Sequence, residues 1–202
     1  ELMNRMGFDA DGLGNHNFDK GQDYLRNTLI PLAVFEFVSS NIVDSRGRTP
    51  AEWSPSEVFK FHGAKMGLIG FSDTDIPQLT FPGALGPFHV TAPLAAVNAE
   101  AARLDRKTDA LVAVGHLGAE GGTGNPLGLT TNPVGPVVTL ADAAKVDAVV
   151  GDHTNFQVLD TRANGVLLTE NLSKSARFTR LRLVVDRSSK KVVYKTADFH
   201  KP

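Results

Sequence analysis

The sequence predicts an α/β protein whose sheet is partly mixed toward the carboxyl end. Strand-like apolar runs alternate with helix-like segments along most of the chain, and β-hairpin patterns dominate its last part. The 202 residues are 42% hydrophobic and 21% charged, which is the composition of an ordinary globular protein. We therefore treat residues 1–202 as a single domain.

In the first half, glycines and prolines divide the chain into short elements. Helical spacing of apolar residues indicates a helix over 20–28, which Pro31 would end, and β-rich runs on either side of Gly63 indicate a hairpin. The expected elements are a helix over 1–6, the helix over 20–28, a strand over 34–38, and hairpin strands over 58–62 and 65–71.

In the second half, Thr91 is a candidate amino-terminal cap and Pro93 suits the first turn of a helix that reaches about residue 107. The remaining apolar runs predict buried strands, and the last two form a hairpin. The expected elements are a strand over 110–114, a glycine-rich loop over 118–136, a helix over 140–145, and strands over 146–150, 156–159, 165–169, 178–185 and 191–195.

Charge, hydropathy and cysteine content exclude several classes of function. The chain has 21 basic and 22 acidic residues, so its charge gives no reason to expect nucleic acid or an anionic membrane as a partner. The apolar runs are too short for a membrane span. Cysteine is absent, which excludes disulfides, thiolate metal sites and cysteine nucleophiles. Any metal must be held by His, Asp, Asn, Glu or water.

Three of the six histidines follow apolar runs and lie next to, or just after, a glycine. They are His16, His116 and His153. The carboxyl ends of strands in open α/β sheets are where ligand sites form, so three imidazoles delivered there could converge. Neutral imidazole is a good metal ligand near neutral pH. The alternative is that each is a partly buried histidine with a satisfied hydrogen bond.

The string Gly-Asn-His-Asn-Phe-Asp over 14–19 is the most specific in the chain. Asn15 offers a carbonyl oxygen to a metal, and His16 could stabilise an oxyanion or protonate a leaving group. Asp19, three residues on, could orient and charge His16. The alternative is a helix start in which Asn, Asp and Gly serve turn geometry alone.

These strings together resemble the calcineurin-like metallophosphoesterases, in particular their 5′-nucleotidase branch. Residues 14–19 resemble the family's Gly-Asn-His-Glu-Phe-Asp block, and 6–10 resemble the segment that leads into it. Residues 115–118 resemble a later motif with a single histidine, and 146–155 resemble the Gly-His-Thr-His block. The motifs occur in the family's order.

The resemblance implies a four-layer α/β sandwich of two mixed sheets flanked by helices. It also implies a two-metal site that hydrolyses phosphomonoesters, including nucleotides, through a metal-activated water. Asn15, His116 and His153 would bind the second metal, and His16 with Asp19 would serve catalysis. The sequence does not distinguish Zn, Mn, Mg, Co and Fe as the divalent ions. A periplasmic, cell-surface or secreted location is implied as well.

The sequence departs from the family pattern at two places. The family's Asp-x-His and Gly-Asp motifs are absent, and Glu1 to Met6 reads like a helix already under way, so we expect a truncated amino terminus and an upstream segment of the same polypeptide. Asn155 stands where the family usually has a histidine that binds the first metal, and Asn is a weaker ligand for zinc-like ions. We also expect residues 1–202 to hold the catalytic domain alone, without the family's nucleoside-binding domain.

These departures lead to two further expectations. The 202-residue chain on its own would be a weak or inactive phosphatase, and the alternative function is a non-catalytic module that has lost its first metal site. Three histidines, His62, His89 and His200, are interpreted as surface or loop residues. Residues 121–124 are a poor match to a phosphate-binding loop but suit a flexible lid beside His116.

Overall fold

The structure is a computed structural model that describes residues 1–124 and 128–202. Its helices are α1 (Leu2–Met6), α2 (Gln22–Tyr24), α3 (Ile30–Leu32), α4 (Ile76–Leu79), α5 (Pro93–Leu104) and α6 (Pro136–Ala143), with a 3₁₀ turn over Asn15–Phe18 and a π-helical turn over Leu25–Leu29. Its strands are β1 (Ala10–Gly12), β2 (Glu36–Val38), β3 (Ile42–Val43), β4 (Ser56–Phe61), β5 (Ala64–Ser72), β6 (His89–Val90), β7 (Ala110–His116), β8 (Gly121–Gly124), β9 (Thr130–Val134), β10 (Ala148–Gly151), β11 (Val158–Thr161), β12 (Leu167–Glu170), β13 (Phe178–Asp186) and β14 (Lys191–His200).

The centre of the molecule is a mixed sheet, which has eight strands in the described residues, in the order β4-β5-β7-β10-β12-β11-β9-β8. Strands β5, β7, β10 and β12 run parallel to one another, whereas β4, β11 and β8 each pair antiparallel with a neighbour. The carboxyl ends of β5, β7, β10 and β12 therefore lie along one edge of the sheet. This edge carries the candidate site.

Both faces of the large sheet are covered. Helices α5 and α6 pack on one face, where Val97, Leu104 and Val137 join sheet residues in one apolar core. The β13–β14 hairpin packs on the other face, where Ala197 lies in a second core with residues of the sheet. The mixed α/β fold class is thus confirmed, and in the described residues the hairpin forms a separate sheet against the first.

A third core fixes the amino-terminal segment against the carboxyl edge of the sheet. It holds Phe18, Leu25 and Trp53, all buried. Strands β1 and β2 form a parallel pair, and the Ser72 hydroxyl, at the end of β5, donates to the Leu13 carbonyl at 2.6 Å. The turn over 14–16 is therefore held beside the ends of β5 and β7.

Several predicted boundaries were wrong, each for a physical reason. The helix over 93–104 has Ala92 at its cap position, because Thr91 is engaged elsewhere and its hydroxyl donates to the Asn41 carbonyl at 3.3 Å. Pro31 does not end the helical stretch predicted over 20–28, which continues through α3 to Leu32. Pro31 lies in the first turn of α3, where a missing N–H is tolerated.

The loop expected over 118–136 was wrong in part, and the lid expected at 121–124 falls on β8. Strands β8 and β9 lie within it and pair antiparallel at the edge of the large sheet. Their glycines, threonines and prolines carry no strand-like apolar alternation, so the pattern gave no sign of them. Residues 125–127, which were included in that expectation, lie outside the described residues. Within the described parts of the chain, no helix has both the length and the apolar character needed to cross a membrane.

A substitution at Gly70 would test how closely β5 packs against the amino-terminal segment. A Cβ at this position would lie 2.5 Å from the Val38 carbonyl oxygen and 2.6 Å from the Ser39 nitrogen, both backbone atoms that cannot move aside independently. We expect Gly70→Ala to lower the free energy of unfolding by about 3 kcal/mol, as overpacking does at its upper end. Urea denaturation followed by circular dichroism measures this.

Gly124→Ala is the matched control for Gly70→Ala. A Cβ there meets no atom of the described residues within 4 Å. The control should leave the free energy of unfolding within about 1 kcal/mol of the wild type. Equal losses in the two variants would contradict the packing described at Gly70.

Candidate functional site

Polar side chains gather where β5, β7 and β10 end. Asp73 follows β5 directly, His116 is the last residue of β7, and Asp152 and His153 follow β10. Because these strands are parallel neighbours, their carboxyl ends meet at one edge of the sheet. The arrangement brings together two of the predicted histidines from segments that are 37 residues apart.

His116 and His153 contact each other directly. His116 Nε2 and His153 Nδ1 are 3.0 Å apart, and the ring centroids are 4.7 Å apart. A carboxylate lies on the far side of each ring: Asp152 Oδ2 is 3.1 Å from His116 Nδ1, and Asp73 Oδ2 is 3.8 Å from His153 Nε2. We call His116 and His153 the histidine pair.

The turn over 14–16 lies against the histidine pair. A Cβ on Gly14 would come within 2.5 Å of His116 Cγ, so only glycine leaves room for this ring. The next side chain, Asn15, is 5% exposed, and its Oδ1 atom has no hydrogen-bond partner. A buried acceptor without a partner costs about 1–3 kcal/mol, which a cation bound to the oxygen would remove.

His16 and Asp19 form the pair expected from the sequence. His16 Nδ1 lies 2.9 Å from Asp19 Oδ2, and both side chains are largely exposed. The His16 ring is 6.3 Å, centroid to centroid, from the ring of His116. His16 therefore stands in solvent beside the histidine pair, on the side from which a substrate could approach.

His153 and Asn155 occupy unusual backbone conformations. Their φ angles are 98° and 63°, in a backbone region that residues other than glycine rarely adopt. Such strain costs of order 1–3 kcal/mol and persists only where surrounding contacts impose it. Asn155 itself is exposed and takes no part in the hydrogen bonds that join the cluster. The structure brings His116 and His153 into contact and places Gly14, the residue before Asn15, against the His116 ring.

Two carboxylates that the sequence analysis passed over belong to this site, Asp11 and Asp73. Burial and the negative charge of Asp152 raise the pKa of Asp11 to about 6. Asp73 is 8% exposed and directly follows β5, so its position after an apolar run was a usable signal. Asp11 had no such signal, because the short strand β1 lacks an apolar pattern.

The protonation of the cluster follows from burial and charge. The hydrogen bond from His116 lowers the pKa of Asp152, whereas burial and the charge of His116 lower the pKa of His153. Asp152 is therefore held as a carboxylate and His153 as a neutral ring near neutral pH. A neutral imidazole has a nitrogen lone pair free for a cation or a proton.

The donor set suits one divalent cation. An amide oxygen, two imidazole nitrogens and adjacent carboxylates match what such ions bind in proteins. Within residues 1–124 and 128–202, however, no group of three or more His, Asp and Glu side chains has the geometry of a metal cluster. The fit therefore rests on the Asn15 oxygen together with the histidine pair.

The other predicted features lie elsewhere. His62 is exposed in the β4–β5 turn at the opposite edge of the sheet, His89 is exposed in β6, and His200 pairs with Asp198 at 2.6 Å. A cleft of about 610 Å³ opens beside the site. Its lining includes His153, Thr154 and Asp73 together with the amino-terminal ends of α5 and α6. This volume is in the range of small-molecule pockets.

Comparison with known proteins finds 5′-nucleotidases and a calcineurin-like phosphoesterase as similar proteins. The chain is 30% identical over 159 residues to a 5′-nucleotidase of Rattus norvegicus, an alignment that covers 76% of this chain and 25% of that protein. The calcineurin-like phosphoesterase YfkN of Bacillus subtilis has a similar structure, with a TM-score of 0.79 and 21% identity over 99% of this chain and 65% of the other.

A second solved structure, the 5′-nucleotidase precursor of Thermus thermophilus, gives a TM-score of 0.76 and 19% identity over 98% of this chain and 39% of the other. No protein-family model matches the chain. The chain spans about a quarter of the length of several curated 5′-nucleotidases that it matches.

The raised pKa of Asp11 predicts how stability depends on pH. The folded state holds the Asp11 proton up to about pH 6, whereas the unfolded state loses it near 3.8, so stability falls as the pH rises through this window. We expect Asp11→Asn to raise the free energy of unfolding at pH 8 by about 1–2 kcal/mol and to have little effect at pH 4. Urea denaturation at both pH values checks this.

The control for Asp11→Asn is Asp9→Asn, two residues away on an exposed side chain. It should change stability by less than about 0.5 kcal/mol at either pH. If Asp11→Asn destabilises the protein at pH 8, the carboxylate is held by a favourable contact, and the account of its burial is wrong.

Proposed function

Because the chain belongs to the calcineurin-like metallophosphoesterase family and is similar to its 5′-nucleotidases, we propose that it takes part in the hydrolysis of phosphate monoesters, nucleotides among them. One observation carries the proposal. The histidine pair lies at the carboxyl edge of parallel strands beside an open cleft, and the turn against its His116 ring carries the buried Asn15 oxygen, which has no hydrogen-bond partner among the described residues. This is the donor set that the resemblance assigned to a metal.

In this proposal Asn15, His116 and His153 hold a divalent cation: Zn, Mn, Mg, Co or Fe. A divalent cation at a phosphoester site polarises phosphoryl oxygens and makes water a stronger nucleophile. Asp152 orients the His116 ring through its Nδ1 atom, and Asp73 lies behind the His153 ring. Carboxylates behind ligating histidines fix the ring orientation and raise the basicity of the ligand.

His16 serves proton transfer in the same proposal. It is exposed, stands 6.3 Å from the His116 ring, and is oriented by Asp19. A protonated His16 can donate to a phosphoryl oxygen or to the oxygen of the leaving alcohol. The leaving group would occupy the cleft beside His153. A periplasmic, cell-surface or secreted location belongs to this proposal as well.

The second candidate is a non-catalytic binding module on the same scaffold. It is favoured by the exposure of Asn155 and by the absence, in the described residues, of a three-membered His, Asp and Glu cluster. A module of this kind would bind a cation or a phosphate ester without turning it over. For the same reasons we expect the 202-residue chain to turn over substrate slowly if it is an enzyme.

The cation site is tested first by binding. We expect the chain to bind Mn²⁺ or Co²⁺ in titration calorimetry and His116→Ala to weaken that binding at least about tenfold, because a nitrogen ligand is lost. His62→Asn, at the opposite edge of the sheet, should bind like the wild type. If His116→Ala binds with unchanged affinity, or the wild type binds no divalent ion, the cation site is wrong.

Activity is measured with p-nitrophenyl phosphate and with a nucleoside monophosphate, each with added Mn²⁺. Slow hydrolysis that requires both the ion and His116 supports the phosphoesterase. Ion binding with no hydrolysis of any phosphomonoester supports the non-catalytic module instead.

The role of His16 gives a separate prediction. His16→Ala should lower kcat by about 10²–10⁴-fold while ion binding stays at the wild-type level, because a general acid–base group is lost and no ligand is. Asp19→Asn should have a smaller effect on kcat in the same direction. Kinetics and titration calorimetry on the same preparations check this, and a parallel loss of ion binding would contradict the assignment.

A further inference from the structure

Glu170 is a buried ionisable residue near the site, and the proposed chemistry does not use it. It is the last residue of β12 and is 0% exposed. A carboxylate in the interior is costly unless its oxygens are hydrogen-bonded. The groups that donate hydrogen bonds to this carboxylate therefore indicate its role.

The Glu170 carboxylate joins the two segments that follow the histidine pair. Ala119 N–H, three residues after His116, donates to Oε2 at 2.7 Å, and the Thr154 hydroxyl, next to His153, donates to Oε1 at 2.7 Å. Burial raises the pKa of Glu170, and the nearby backbone N–H groups of Thr154 and Phe156 partly offset this by favouring the charged form. One side chain thus connects the segment after β7 to the segment after β10.

The two segments are also packed without space between them. A Cβ on Gly118 would overlap the Thr154 hydroxyl and would lie 2.8 Å from the Asp152 carbonyl oxygen. Asp152 N–H donates to the Leu117 carbonyl at 3.2 Å. The Glu170 bonds therefore act on segments that already touch, and they set the distance between them.

The strained turn at His153 needs such an anchor. His153 and Asn155 both have positive φ, and Thr154 between them is held by Glu170 through its hydroxyl. A backbone in this conformation relaxes unless neighbouring bonds prevent it. One of the two Glu170 hydrogen bonds is to Thr154, the residue between the two strained positions.

We propose that Glu170 is a positioning residue that holds the His153 turn in its strained form and so fixes the contact between His116 and His153. The inference rests on the proposed function in taking the histidine pair as the site. Glu170 does not touch the substrate or either ring in this account. It acts through Thr154 and Ala119.

The experiment compares four variants of the full chain with the wild type. Glu170→Ala removes both acceptor oxygens, Glu170→Gln keeps one acceptor oxygen, and Thr169→Val is the control. Thr169 precedes Glu170 on β12, is equally buried, and its hydroxyl has no partner among the described residues, so its loss breaks no hydrogen bond. The fourth variant, Leu167→Ala, lowers stability on the same strand from the opposite face, in the core that holds Ala148 and Ala197 and not the segments after β7 and β10.

Two readouts are taken for each variant, Co²⁺ binding with its visible absorption spectrum and the ring ¹⁵N chemical shifts of His116 and His153 in metal-free protein. We expect Glu170→Ala to weaken Co²⁺ binding about 10–100-fold, the range for residues that orient metal ligands, and to shift both ring signals. Glu170→Gln should fall between Glu170→Ala and the wild type. Thr169→Val should match the wild type in both readouts, and so should the folded fraction of Leu167→Ala.

The outcomes separate this inference from the proposed function. If the wild type binds no Co²⁺ but Glu170→Ala still moves the ring signals of both histidines, the cation site fails and the positioning role stands. If Glu170→Ala and Leu167→Ala lower the melting temperature equally and neither variant changes the ring signals or Co²⁺ binding, Glu170 is only a structural residue and the inference is overturned.

Discussion

The close approach of backbone segments at the carboxyl edge of the sheet is the constraint on which the site depends. Gly115 shows it most directly, since a Cβ there would overlap the Phe71 carbonyl oxygen across the β5–β7 pair. Gly14 and Gly118 play the same part on either side of His116. Each glycine removes one side chain so that an imidazole, a hydroxyl or a carbonyl can take its place. The histidine pair exists because three neighbouring positions have no Cβ.

Charge then decides what this packed edge can bind. His116 Nε2 and His153 Nδ1 are 3.0 Å apart, a distance that two positively charged imidazolium rings would not hold. A carboxylate lies on the far side of each ring. Asp11 adds negative charge from β1. The cluster is thus rich in acceptors and poor in protons near neutral pH, which is an environment that attracts cations.

The sequence predicted the elements that have strong apolar patterns and missed those that do not. The buried strand β7 and the β4–β5 hairpin were predicted within a few residues, since apolar runs and a turn glycine mark them. Strands β8 and β9 were missed because their places in the sheet are set by pairing, of β9 with β11 and of β8 with β9, and not by their own side chains. Thr91 failed as a cap because a partner 50 residues away, Asn41, bonds with it.

The same division holds for the site. His16, Asn15, His116 and His153 could be found from local strings, because glycine and a preceding apolar run mark each of them. Asp11 and Glu170 could not, since what distinguishes them is the set of segments that they approach in space. A position after an apolar run marks a carboxylate such as Asp73 or Glu170 as a strand-end residue, but it does not show whether that carboxylate stays in solvent or joins two segments inside the protein.

The origin of the site residues in separate segments also bears on how the protein folds. The histidine pair, the 14–16 turn and Glu170 come from four stretches of chain, and none of them meets another until β5, β7, β10 and β12 have paired in parallel. Parallel pairing closes long loops and is slow compared with local structure formation. The complete donor set is therefore a property of the finished fold, and an ion that binds it stabilises the native state over every partly folded one by mass action.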